Sequence, residues 1–223
     1  MVDYRIIATG SQGNAVIVDD CILIDCGVPF KSIKPYVRDL RLVLLTHIHG
    51  DHFKASTIKA LAAQRPTLRF AACRWLVKPL VDCGVSPYQI DVCEIGKAYY
   101  YGGVIERIEP VMLSHDVPNA GWKIELSKVR VFYATDTCNL NGIFAPGYDL
   151  YLVEANFETA DIKQRMADKK EQGEFVYERR VLEQHLSKEN ADDWIYKNIR
   201  SNGVYVYLHG HVDREIRKDE QNE

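Results

Sequence analysis

Apolar positions along the chain fall into short runs, interrupted every few residues by glycine, asparagine or aspartate. "YRIIATG", "AVIV" and "CILIDCG" read as strands separated by the turns "SQGN" and "DD". A helix is expected over "FKSIKPYVRDL", weakened by Pro35, which removes a backbone donor. "LVLLT" reads as a buried strand that stops at Thr46. "KASTIKALAAQ" carries Ile58, Leu61 and Ala62 at helical spacing; "LRFAA" is the next strand, and "RWLVKPLVDCG" a helix ending at Gly84. Strands return in "QIDVCEI", "AYYYG", "GVIERIEPVML", "GWKIEL" and "VRVFYAT", followed by "YDLYLVEAN". The region 159–200 reads as helical and heavily charged, and "GVYVYLHGH" as a last strand ending in histidines. Strands and helices interleaved in two similar halves predict an α/β fold, a two-sheet core with helices outside.

No repeat, low-complexity tract or linker divides the chain, so one domain is expected over 1–213, with a charged, solvated tail at 214–223. At 223 residues and 47% hydrophobic, the chain can bury one substantial core. Its net charge of −3 provides no global basic field for nucleic acid, so a polyanion would need a local patch or a metal. The six cysteines show no Cys-x-x-Cys or zinc-knuckle spacing, and Cys21, Cys26 and Cys73 sit in or beside apolar stretches. Reduced, structural thiols and a cytoplasmic location are the expectation. "MVDYRIIATG" lacks the pattern of a signal peptide, and no apolar run reaches membrane-spanning length.

The chemistry concentrates in "LLTHIHGDH". His47 and His49 are two apart, so an extended loop can aim both at one ion, while Asp51 and His52 face a second position. Imidazole and carboxylate suit zinc or manganese, with iron a further option. More ligands are needed, and later strand ends supply candidates: His115 in "VMLSHDVPNAGW", Asp136 in "VRVFYATDTC", and His209 with His211 in "GVYVYLHGH". Strand C-terminal ends are where layered α/β cores gather functional loops.

"THIHGDH" resembles the His-x-His-x-Asp-His signature of the metallo-β-lactamase superfamily, and His115, Asp136 and His209 fall in that family's order. The resemblance implies an αββα sandwich of two mixed sheets with two divalent ions between them. It implies His47, His49 and His115 on one ion, Asp51, His52 and His209 on the other, and Asp136 bridging both. "HGH" leaves His211 open as an alternative to His209. "ATGSQGNAVIV", "ILIDCGVPFKSI", "LSHDVPNAGW", "LVEANFE" and "HLSKENA" resemble motifs of YycJ/WalJ-type nucleases, over about residues 6–212. Ribonuclease Z is a more distant likeness. Three departures stand out: Asp136-Thr137-Cys138 replaces the usual Asp-Thr-Gly, "FKAS" follows the histidine loop, and "HGHVDR" lacks the usual His-Leu-Ser ending.

A dinuclear site of this kind clamps the attacking and leaving oxygens of a phosphodiester and supplies a bridging hydroxide. Asp51 and Asp136 then belong to the catalytic centre as well as to the ligand set. His185, before a helix capped by Ser187, is the candidate proton donor to the leaving oxygen, a role its subgroup motif implies. Asp25 and Asp116 are expected to orient ligand histidines. Glu154 and Asn156, ending a buried strand, either bind substrate or hold the active-site loops. Lys163, Arg165, Lys169, Lys170, Arg179 and Arg180 offer phosphate contacts, although interleaved acids fit a solvated helix face equally well. The expected activity is therefore a metal-dependent nuclease on DNA rather than RNA, acting as an exonuclease or in end processing. Hydrolysis of cyclic nucleotides, or of a lactone or thioester, is the alternative; a non-enzymatic metal module has little support.

Overall fold

The structure, a computed structural model, describes residues 2–210, so His211, the domain's expected end and the tail at 214–223 lie outside the described residues. Strands β1 (Tyr4–Ala8), β2 (Ala15–Val18), β3 (Ile22–Ile24), β4 (Leu42–Leu44), β5 (Arg69–Cys73) and β6 (Ile90–Cys93) form one sheet in chain order. Strands β7 (Tyr99–Tyr100), β8 (Ile105–Leu113), β9 (Asn119–Leu126), β10 (Arg130–Ala134), β11 (Leu150–Glu154) and β12 (Val204–Leu208) form the other, again in unbroken order. Both sheets are mixed. The first is antiparallel from β1 to β3 and parallel from β3 to β6. The second is antiparallel from β7 to β10 and parallel from β10 to β12.

Parallel neighbours require crossovers; a loop makes the one from β10 to β11, and helices supply the others. Helix α1 (Phe30–Ile33) links β3 to β4, α2 (Ala55–Gln64) links β4 to β5, and α3 (Val77–Asp82) links β5 to β6. Helices α4 (Thr159–Glu171), α5 (Glu178–Gln184) and α6 (Lys188–Asn198) lie between β11 and β12. The turn "DD" closes the β2–β3 hairpin with Asp19 and Asp20 at φ 50° and 51°, the left-handed pair of a tight hairpin turn.

Alternation along the strands sorts the core into three layers. Ile17, Leu23 and Val43 face Ile33, Ile58, Leu61 and Leu80 under α1–α3. Their neighbours Val16, Val18, Ile22, Ile24, Leu42 and Leu44 point the other way, against Trp122, Ile124, Tyr133 and Leu152 of the second sheet. Phe132, Tyr151 and Val153 then pack outward on Leu186, Ala191 and Ile195. Strands buried on both faces must be apolar at nearly every position, which is why "AVIV" and "LVLL" show no alternation. The result is an αββα sandwich, as expected.

One expectation needs correction. The helix predicted over "FKSIKPYVRDL" stops after Ile33, and Lys34–Tyr36 forms a 3₁₀ turn, because Pro35 cannot donate to a continuing helix. All six thiols are unpaired, and Cys21, Cys26, Cys73 and Cys93 are buried. Among the described residues no helix is long and apolar enough to cross a membrane.

Candidate metal centre

Six chain segments end at one edge of the sandwich. Strand β3 delivers Asp25, β4 the loop His47–His52, β8 His115, β10 Asp136, β11 Glu154, and β12 His209. Asp25 and His209 follow their strands directly and Asp136 one residue later, and the three adopt φ of 60°, 55° and 54°. Backbone of this kind is uncommon outside glycine and persists only where surrounding contacts hold it. Asn119 provides one such hold, donating from Nδ2 to the carbonyls of Thr135 (3.0 Å) and Asp136 (2.7 Å). At His209, the backbone N–H donates to Thr9 Oγ1 at 2.7 Å.

His47, His49 and His115 form the first cluster. His49 Nδ1 lies 3.2 Å from His47 Nε2 and 3.3 Å from His115 Nε2. Burial, reinforced by the His52 charge, lowers the His47 pKa to about 2, and burial also lowers that of His115. Both are therefore neutral at physiological pH with a lone pair to offer. Asp51, His52 and His209 form the second cluster, and Asp136 stands between the two, grouped with His47 and His52 on one side and with Glu154, His185 and His209 on the other. Asp136 Oδ2 is 2.8 Å from His52 Nε2, and its Oδ1 is 3.4 Å from His209 Nε2.

The second cluster is charged. Burial opposes ionisation of His52, but Asp136 and Asp25 outweigh it and raise its pKa well above the usual value. The same contest lifts His209 to about 10, with Asp51 and Glu154 prevailing over burial. Asp136, despite burial, is held well below the ordinary carboxylate range by His52.

Buried carboxylates back His52, His185 and His209, whereas Asp116 meets His115 at Nε2, the nitrogen that faces His49. Asp25 is fully buried and accepts from His52 Nδ1 at 2.7 Å and from the Thr46 N–H and Oγ1 at 3.0 Å each. This is the carboxylate-to-imidazole arrangement that fixes a ligand's tautomer. Asp116 Oδ1 lies 3.2 Å from His115 Nε2 and 3.4 Å from His49 Nε2. Glu154 is fully buried, accepts from His185 Nδ1 at 2.6 Å and from the Thr137 N–H at 2.9 Å, and stands 3.5 Å from His209 Nδ1. Asn156 donates to the His209 carbonyl at 2.7 Å. Both side chains are buried, and their contacts run to His185, Thr137 and His209.

His185 caps the end of α5, its ring 5.3 Å from that of His209 and 5.9 Å from that of His115. Ser187 accepts from the Asn190 N–H and starts α6, so the histidine sits in a fixed gap between two helices.

Three contributors carry no local signal in the sequence. The Asn14 N–H donates to the Asp51 carbonyl at 2.6 Å, and its Nδ2 lies 2.8 Å from His52 Nε2. A methyl group at Gly27 would overlap the Asp51 carbonyl, so only glycine lets the two loops meet. Thr46, quoted above merely as a strand end, ties Asp25 to the histidine loop. "SQGN" and "LIDCG" mark turns, but nothing local distinguishes a turn asparagine from one that grips a distant loop.

The donor set suits metal ions. Buried His209 Nε2 has no hydrogen-bond partner, its nearest carboxylate oxygens being 3.4 Å and 3.8 Å away. At the first cluster His47 Nε2 and His115 Nε2 converge on His49 Nδ1, a three-nitrogen set of the kind that holds a divalent ion. A buried ring nitrogen without a partner is costly, and a bound cation in place of the ring proton would satisfy it.

Two facing sheets under outer helices, with His and Asp clusters fit for metal ions at their strand ends, define the class of protein. The model of the beta-lactamase superfamily domain matches residues 21–173, more than half of the chain, and the chain belongs to that superfamily. Among solved structures it is similar to the metallo-beta-lactamase fold protein YhfI from Bacillus subtilis, with a TM-score of 0.70 and 15% identity over 98% of this chain and 90% of that one. Human tRNase Z, short form, gives a TM-score of 0.62 and 15% identity over 94% and 93% of the two chains. Zn(2+)-bound PqqB from Methylobacterium extorquens gives 0.63 and 12% over 99% and 95%. At these identities the likeness is one of fold. No curated protein sequence matches the chain.

Proposed function

We propose that this chain is a dinuclear metal-dependent phosphodiesterase acting on nucleic acid, with DNA the expected substrate. His47, His49 and His115 would hold one cation and Asp51, His52 and His209 the other, with Asp136 shared between them. Bound there, zinc or manganese supplies Lewis-acid polarisation of a phosphoryl oxygen and a water acidic enough to react near neutral pH.

The observation that carries the reading is the Glu154–His185 pair. Glu154 holds Nδ1 of His185 at 2.6 Å, leaving Nε2 as the ring nitrogen that can give a proton to a leaving oxygen. His185 lies outside both histidine clusters, yet its Nδ1 is 3.8 Å from Asp136 Oδ1. An imidazole so placed suits an alkoxide leaving group such as a sugar hydroxyl. The fold shared with tRNase Z supports a nucleic-acid substrate, and the motifs that resemble YycJ/WalJ-type nucleases support DNA. Because the net charge is −3, attraction of the polyanion falls to the metals and to local cations.

The test is an assay panel on manganese- or zinc-loaded protein: labelled single- and double-stranded DNA, RNA, cyclic nucleotides and bis(p-nitrophenyl) phosphate. DNA and the generic diester should be cleaved, with activity lost on chelation. Preferential RNA cleavage would replace the substrate and keep the chemistry. Turnover of cyclic nucleotides alone would install the alternative, and no phosphodiesterase activity in metal-loaded protein would overturn the proposal.

A further inference from the structure

Of the basic residues between 163 and 180 that offer phosphate contacts, the structure singles out one. Lys169 is committed to Glu178 at 2.6 Å. Arg165 lines a cavity beside Asn156, away from the histidine triad. Arg180 instead reaches the loop that carries His115: its Nη2 donates to Asp116 Oδ2 at 3.1 Å. The other oxygen of that carboxylate is 3.2 Å from His115 Nε2 and 3.4 Å from His49 Nε2. One carboxylate therefore separates the guanidinium from the first histidine cluster.

We infer that Arg180 binds a non-bridging oxygen of the substrate phosphodiester and so selects phosphodiesters over uncharged esters and lactones. This rests on the phosphodiesterase reading above. Three features support it. Gln184, one turn further along α5, accepts from Arg180 Nε at 3.0 Å and donates to Asp116 Oδ2 at 3.4 Å. The guanidinium is thus oriented while Nη1 keeps no partner among the described residues. Its side chain is 71% exposed, and an exposed ion pair is weak, so exchanging Asp116 for a phosphate oxygen costs little. A phosphate accepts the planar fork of arginine in two-point contact.

Charge points the same way. Asp116, the partly exposed carboxylate outside the ligand set, repels an anionic substrate. Arg180 is the cation set against Asp116. It rides on the same helix as His185, the candidate proton donor at that helix's end, so the anchor for the phosphate and the donor for its leaving oxygen share one rigid element.

The test compares metal-loaded wild type with Arg180→Gln, Arg180→Lys and the double variant Arg180→Gln/Asp116→Asn. Three readouts are needed: metal content, kinetics on bis(p-nitrophenyl) phosphate, and salt dependence of binding to a phosphorothioate-protected oligodeoxynucleotide. Arg180→Gln should keep its metal and raise KM by roughly 10-fold or more, as loss of a hydrogen bond to a charged group implies, with a smaller change in kcat. Its slope of log affinity against log salt should fall by about 1. Arg180→Lys should recover part of the loss. The double variant should stay as weak as the single one. If it returns to wild-type KM, Arg180 only neutralises Asp116 and the inference is overturned; an unchanged KM or salt slope in Arg180→Gln overturns it too. Wild-type protein that neither cleaves the diester nor binds the oligonucleotide would instead bring down the phosphodiesterase reading, and with it this one.

Discussion

The two halves of the candidate centre are built on opposite principles. Burial keeps His47 and His115 neutral, and His49 is the open member of the trio, its side chain 34% exposed with the partly exposed carboxylate Asp116 beside it. Asp51, His52 and His209 alternate charge with Asp136, and Asp25, Glu154 and Asn156 grip them with fully or largely buried side chains. The difference follows from the partners. His52 and His209 face the buried carboxylates Asp25, Asp136 and Glu154, and a buried ionised group survives only with such counter-charges. His115 comes off β8, and its loop carries the partly exposed Asp116 that Arg180 of α5 reaches. The first half can therefore tolerate change around it, while the second depends on its buried supports.

Asp136→Ala removes the residue common to both halves. Turnover is expected to fall by more than about 10³-fold, with metal content dropping from two ions to one at most; elemental analysis and steady-state kinetics check both. Full activity in this variant would contradict the shared role. His185→Ala leaves both halves intact, so both metals should stay while the rate drops roughly 10²- to 10⁴-fold. Loss of metal in that variant would make His185 a ligand instead of an acid.

Asp25→Asn probes the buried support. Metal affinity of the second half should weaken by about 10- to 100-fold, with the first half unchanged, as read by titration with a chromophoric competitor. Gly27→Ala should push the same way by displacing the Asp51 loop, and should also destabilise the fold by about 1–3 kcal/mol, measured by denaturant unfolding. Asp116→Asn makes the matching change at the first half, where the outer partner is partly exposed. Its effect on metal affinity should be the smallest, at or below about 10-fold. An effect larger than that of Asp25→Asn would reverse the proposed asymmetry.

Much of this was legible in the sequence, for physical reasons. Doubly buried strands announce themselves as unbroken apolar runs, and β2, β4 and β11 lie within the runs that predict them. Pro110 lies inside β8 without breaking it, because β7 pairs only as far as Arg107 and Ile108 and no neighbour there needs its missing N–H. Histidines stood out because their density at strand ends is hard to explain by packing. What stayed hidden was pairing between distant segments. Asn14 with Asp51, Glu154 with His185 and Asp116 with Arg180 are separated by 37, 31 and 64 residues, and none has a spacing rule. Equally hidden was the burial of Glu154 and Asn156, which emerges only from the assembled layers.

The central claim is that two cations occupy the two halves side by side, joined by Asp136. Anomalous diffraction from crystals grown with manganese or zinc tests it most directly. The account predicts two anomalous peaks, one among His47, His49 and His115 and one among Asp51, His52 and His209, with Asp136 in contact with both. A single peak, or peaks away from these residues in fully metal-loaded protein, would contradict it.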